Sequence, residues 1–136
     1  MDEAEVSARY AAFGDKGPAV EGRRLTIMPS RDEVESGETL RVYHVCEAVE
    51  PGIALYVMGP KPVYGEYVDD VLATAPPPSG EDPFVPASYD GRVLEGPGID
   101  TNYEVTEYRF DAGERRIQWR PGTNASNELR IRVSDA

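Results

Sequence analysis

Gly113-Glu-Arg-Arg-Ile-Gln-Trp119-Arg-Pro-Gly122, followed directly by Thr123-Asn-Ala-Ser-Asn-Glu-Leu129-Arg-Ile-Arg-Val133, is the stretch that decides the fold. In its second half Leu129, Ile131 and Val133 alternate with Arg130, Arg132 and Ser134, the period of a strand with one face in a core and the other in water. In its first half Ile117 and Trp119 share a face while Arg116, Gln118 and Arg120 share the opposite one. Pro121-Gly122 and Asn124 supply turn chemistry between the two runs. The sequence therefore predicts a closing β-hairpin that carries the only tryptophan, with the core built on it.

Working outward, 136 residues fit one domain, and a chain of this size buries roughly two thirds of its unfolded surface, enough for a core without covalent staples. A single cysteine, Cys46, excludes an intramolecular disulfide and any multi-cysteine zinc or iron–sulfur site. No run approaches the roughly 18 apolar residues of a membrane span, and no basic-then-apolar signal pattern opens the chain. A soluble protein is expected, cytoplasmic or exported with its leader absent. The net charge of −11 opposes binding to nucleic-acid phosphates or anionic lipid, both of which need clustered Lys and Arg. That charge is uneven: residues 1–50 hold eleven acids and six bases, residues 51–108 ten and two, and residues 109–136 four and six. The middle is the acidic part.

Asp2 and Glu5 have the spacing of a capping box, and Val6, Tyr10 and Phe13 then recur at helical intervals, predicting a short helix over residues 3–13. Residues 1–22 are expected to form a separate segment, either docked through that stripe or frayed. Strands are expected at residues 23–29 and, beyond a polar turn at Ser30, Arg31 and Asp32 and then Val34, at residues 39–49, the last with Leu40, Val42, His44, Cys46 and Ala48 facing the core. Residues 53–58 are apolar on both sides, as a central strand is, and residues 63–71 read as an edge strand after the prolines at 60 and 62. Residues 73–90 read as a long acidic loop, because the five prolines from Pro76 to Pro86 cannot donate to a ladder. Short strands are expected again at residues 89–94 and 103–110, the latter with a bulge between Val105 and Tyr108.

About seven short strands with frequent Pro-Gly turns predict an all-β fold, an antiparallel β-sandwich spanning residues 23–136, with a small barrel as the alternative. Ser36-Gly37-Glu38-Thr-Leu-Arg-Val42 and the hairpin from Phe110 to Val133 resemble the second strand and final hairpin of bacterial immunoglobulin-like domains. The resemblance covers residues 23–58 and 103–134 and implies an immunoglobulin-like sandwich. It departs from the antibody pattern in lacking paired cysteines and in its proline-rich middle. No functional residue carries over from it.

His44 and Cys46 are the one pair of types used in nucleophilic catalysis, about 6.7 Å apart between Cα atoms on one strand face. Their apolar row favours a core cysteine and a buried histidine, and a blue-copper site fails for want of a second histidine. Asp69, Asp70, Glu81, Asp82, Asp90 and Asp100 offer hard oxygen ligands, but their spacing fits no calcium loop, and solvated loop acids are the simpler reading. Neither a metal nor a cofactor is expected. Asn124-Ala-Ser126 has the form of a glycosylation acceptor, which matters only in a secretory pathway.

The function expected is recognition without catalysis. Proline pre-orders a loop, aromatic rings supply contact area and acids steer a basic partner, so a protein-binding surface is expected at residues 59–102. Its candidate residues are Tyr64, Tyr67, Asp69, Asp70, Glu81, Asp82, Phe84 and Tyr89. A solvated crossover between sheets explains the same composition. A small enzyme or ligand-binding sandwich using His44 and Cys46 is the second reading.

Overall fold

The computed structural model describes residues 2–57, 60–76 and 92–135. Their helix, α1, is Glu3–Ala12, and their strands are β1 (Ala19–Val20), β2 (Arg23–Pro29), β3 (Glu33–Glu35), β4 (Thr39–Ala48), β5 (Ala54–Val57) and β6 (Glu66–Val68). After these come β7 (Val71–Leu72), β8 (Arg92–Glu95), β9 (Gly98–Asp100), β10 (Thr106–Arg109), β11 (Gly113–Trp119) and β12 (Glu128–Ser134). The chain is mostly β. One sheet runs β1-β2-β4-β10 with β9 also on β4, a second runs β3-β12-β11-β6-β7, and β5 and β8 form a separate pair. Among the described strands all pairings are antiparallel except that of β3 with β12.

The terminal hairpin pairs as its alternation requires, with Ile117 opposite Leu129 and Arg115 opposite Ile131. Ile117, Trp119, Leu129, Ile131 and Val133 are all buried, in one cluster with Leu25, Ile27, Leu40, Val42 and Cys46 of the other sheet. The two large sheets thus share a core between their facing sides. Trp119 sits near its centre. The edges of His44 and Tyr103 meet it at centroid distances of 5.1 and 5.0 Å, and its Nε1 donates to the Tyr64 carbonyl at 2.9 Å. A buried indole needs that acceptor, because an unbonded N–H would oppose the gain from burying the ring.

The outer face of the first sheet is also apolar, since Met28, Tyr43 and Val45 point away from the main core. Helix α1 covers them with Val6 and Tyr10. Asp2 caps the helix by accepting from the Glu5 N–H at 2.9 Å. Arg9 donates to the Pro29 carbonyl at 2.7 Å, and the Tyr10 hydroxyl bonds the Glu47 carboxylate. Burial and that carboxylate push the Tyr10 hydroxyl up to about 12. So short a helix is marginal alone. Here tertiary packing holds it.

Two strand expectations need correction. Residues 53–58 do not give a central strand: among the described residues β5 pairs only with β8, outside both large sheets, and the apolar run serves that small pair. Nor is the region after the prolines an edge throughout, for β6 lies between β11 and β7, and only the two-residue β7 ends the sheet. The proline-rich loop falls largely within residues 77–91, outside the described residues.

Trp119→Ala should destabilise the protein by about 3–5 kcal/mol in urea unfolding, the cost of emptying a large aromatic site in a core. A loss below about 1 kcal/mol would mean that the ring lies at the surface.

Candidate functional site

The site is assembled from the chain between Pro60 and Val105, on β4 and β6 and beside them. Of the residues expected to form a binding surface, the structure describes Tyr64, Tyr67, Asp69 and Asp70; Glu81, Asp82, Phe84 and Tyr89 lie outside the described residues. Asp69 and Asp70 have φ of 49° and 65° and join β6 to β7 in two residues. A two-residue hairpin turn with both φ positive is a demand that Asp tolerates better than most side chains. Asp69 Oδ1 accepts the Arg116 N–H at 2.9 Å, and Asp70 accepts from Arg116 at 2.7 Å and from Arg120 at 3.1 Å. The Arg116 hydrogen bond and charge hold the Asp70 carboxyl below its ordinary range. Acids of the negative middle are thus matched by arginines of the basic final third. Tyr67 on β6, two residues before Asp69, lies under the Arg120 guanidinium at 4.1 Å, and Tyr64 contributes its carbonyl to Trp119.

Two strands carry exposed apolar side chains. Val71 and Leu72 on β7 are 69% and 38% exposed, and Val93 and Leu94 on β8 are 57% and 41% exposed. Those two strands are the last described element before residues 77–91 and the first after them.

Beneath the surface lies a buried polar system that periodicity did not reveal. Glu66 on β6 is fully buried and faces β4 and β10. One of its oxygens meets His44 Nε2; the other accepts from Thr106 Oγ1 at 2.6 Å and from the Tyr108 hydroxyl. Burial raises the carboxyl, but the charge and hydrogen bond of His44 and the bonds from Thr106 and Tyr108 outweigh it, so Glu66 ends below its ordinary range. The stability from this lowered acid is present above the ordinary carboxylate range and is lost as pH falls through the lowered value. Gly65 sets Glu66 in place. At φ +68° its N–H reaches the Ala75 carbonyl, and a Cβ there would stand 2.3 Å from the Arg120 carbonyl oxygen.

Lys61 is the second centre. It is 2% exposed, with its ammonium 2.6 Å from Asp100 Oδ2, 3.0 Å from the Tyr56 carbonyl and 3.1 Å from the Tyr103 hydroxyl. The Tyr56 carbonyl and the Tyr103 hydroxyl accept hydrogen bonds from it, and Asp100 supplies a close opposite charge. Asp100, expected as a solvated loop acid, is instead 3% exposed, and its other oxygen accepts from the Asn102 N–H at 2.9 Å. Lys61 also holds backbone: its N–H donates to the Asn102 carbonyl and its own carbonyl accepts from the Glu104 N–H, both at 2.9 Å. Residues 101–105 are thereby drawn off β4, interrupting the sheet between β9 and β10. A cavity of about 170 Å³ remains there, lined by His44, Thr101, Asn102, Tyr103 and Val105 and by residues at the start of α1.

His44 and Cys46 do share a face, as expected, but have different neighbours. His44 is bonded to Glu66, whereas Cys46 lies in the surroundings of Lys61, Asp100 and Tyr103. Burial, only partly offset by the charges of Lys61 and Arg23, pushes the Cys46 thiol up to about 11, the opposite of nucleophile activation. The Asn124-Ala-Ser126 triplet is folded inward, with Asn124 9% exposed and the Ser126 hydroxyl accepting from the Trp119 N–H. Among the described residues no group of three or more His, Cys, Asp and Glu side chains is placed to hold a metal ion.

Comparison with protein-family models, with curated proteins and with solved structures gave no match. The role of Lys61 is open to direct measurement. Lys61→Met should cost about 3–5 kcal/mol in urea unfolding, because it strands Asp100 in the core without a cation. Adding Asp100→Asn should recover a large part of that loss. Equal destabilisation by Lys61→Met with and without the Asn change would show that the two side chains do not depend on each other.

Proposed function

We propose that this chain is an immunoglobulin-like β-sandwich acting as a recognition or accessory module without catalysis, binding a protein partner through the surface around residues 59–102. The strand order supports the sandwich reading. Taken as strands A, B and E, β2, β4 and β10 form one sheet; taken as C, F and G, β6, β11 and β12 form the other. That is the division of an immunoglobulin-like domain, with β7 in the place of an added C′ strand.

The observation that carries the binding reading is the exposed apolar pair on each side of residues 77–91, Val71 with Leu72 and Val93 with Leu94. Single exposed apolar residues need no explanation, but pairs on the strands leading into and out of one segment favour a contact surface. Tyr67, held by Arg120, adds a fixed ring paired in register with Leu72. Because Asp69 and Asp70 already face arginines, attraction of a basic partner falls to Glu81, Asp82 and Asp90. The buried pairs support the same reading from the other side. His44 is committed to Glu66 and the Cys46 thiol is raised, so the enzyme alternative loses its nucleophile and base.

The test uses the full chain as bait in extract of its native host, beside a chain lacking residues 76–86 and a Val71→Ser/Val93→Ser variant. A partner retained by the parent should be lost by both variants while their thermal midpoints stay close to the parent's, and its association should slow as salt is raised. Retention that survives the deletion, or that ignores salt, places the surface elsewhere.

A further inference from the structure

We infer that the interruption of the first sheet beside His44 is a binding slot for a primary carboxamide, the side-chain group of asparagine and glutamine. The argument starts from a precedent inside the protein. Ile27 on β2 and His44 on β4 are register partners. Asn127 pairs its carboxamide with the Ile27 backbone, Oδ1 accepting from the N–H at 2.8 Å and Nδ2 donating to the carbonyl at 3.0 Å. The Ile27 groups therefore point away from β4. In an antiparallel ladder both members of such a pair point outward, so the His44 N–H and C=O face the opposite edge of β4. There β10 pairs up to Val42 and β9 pairs from Cys46, and His44 falls in the interval between them. Among the described residues, no backbone bond joins residues 101–105 to His44, because Lys61 takes the backbone of Asn102 and Glu104 instead.

One edge of this residue pair is thus filled by a carboxamide, and the other opens on the cavity of about 170 Å³. The chemistry of the vacancy is specific. A donor and an acceptor side by side on one residue are complemented by an acceptor and a donor on one planar carbon, which a primary carboxamide provides. A carboxylate brings two acceptors, one of them facing the His44 carbonyl, and Asp2 and Glu3 in the cavity wall repel it further. His44 Nδ1 is buried and without a hydrogen-bond partner, a further polar atom beside the slot. In size, a void of about 150 Å³ holds a benzene-sized molecule, so a carboxamide on two or three carbons fits.

Hydrogen exchange of the 136-residue chain, followed by NMR, tests the slot with propionamide and propionate as probes. In the free protein the His44 N–H should exchange faster than those of Val42 and Cys46; propionamide should shift its resonance and slow it several-fold, and propionate should not. The source of the group is distinguished by blocked tetraglycine and by the same peptide carrying one glutamine. Stronger protection by the glutamine peptide than by propionamide assigns the slot to a side chain displayed on a partner, and equal protection assigns it to a small amide. The inference is overturned if the His44 N–H is already as protected as that of Cys46, as when Asn102 fills the slot with its own carboxamide. It is overturned equally if the two probes act alike, or if tetraglycine alone gives the full protection.

Discussion

A carboxylate enclosed between two sheets governs this structure. Glu66 belongs to the second sheet, yet its three bonding partners, His44, Thr106 and Tyr108, all stand on strands of the first. Apolar packing between sheets is tolerant of sliding, since one methyl group is much like another. A buried acid is not tolerant. Removed from water and deprived of its partners it is costly by several kcal/mol, so it fixes β6 against β4 and β10 in one relative position. Trp119 lies against the same histidine, which ties the polar contact to the centre of the apolar core.

The Lys61 cluster extends the same logic to the neighbouring backbone. Its ammonium is held by Asp100 and Tyr103 and its main chain by Asn102 and Glu104. A buried ion pair seldom stabilises more than well-packed apolar residues in its place. What this pair contributes is position: it lifts residues 101–105 off β4 and leaves the sheet interrupted where His44 stands. The cavity and the buried charges are therefore one feature. The exposed apolar pairs on β7 and β8 form no part of the cavity lining.

Much of the fold was legible because alternation is a local signal. Leu40 to Ala48 on β4 and Leu129 to Val133 on β12 declared their buried faces, and Asp2 with Glu5 announced the helix start that the structure shows. The site was legible in far smaller part. Glu66 and Lys61 gave no sign of their roles in the sequence because their partners are distant along the chain: His44 lies 22 positions from Glu66, and Tyr103 lies 42 from Lys61. Nothing in the flanking residues of either encodes such a partner. Asp69 and Asp70 have a part that the sequence did not show. As a charge pair they suggested a partner's surface, but their positive φ values and their arginines give them work within the hairpin. The apolar residues 53–58 likewise carried no sign of which sheet they would join, since a run without alternation fixes no face.

The central claim is that Glu66 and His44 act as one unit across the two sheets. A double-mutant cycle in urea at neutral pH, with Glu66→Gln, His44→Gln and the two combined, measures this directly. The account predicts a coupling near the upper end of the roughly 0.5–3 kcal/mol found for residues in contact, with the double variant far less destabilised than the sum of the singles. Losses that add to within about 0.5 kcal/mol would contradict it, for they would mean that each side chain is held by something other than its partner.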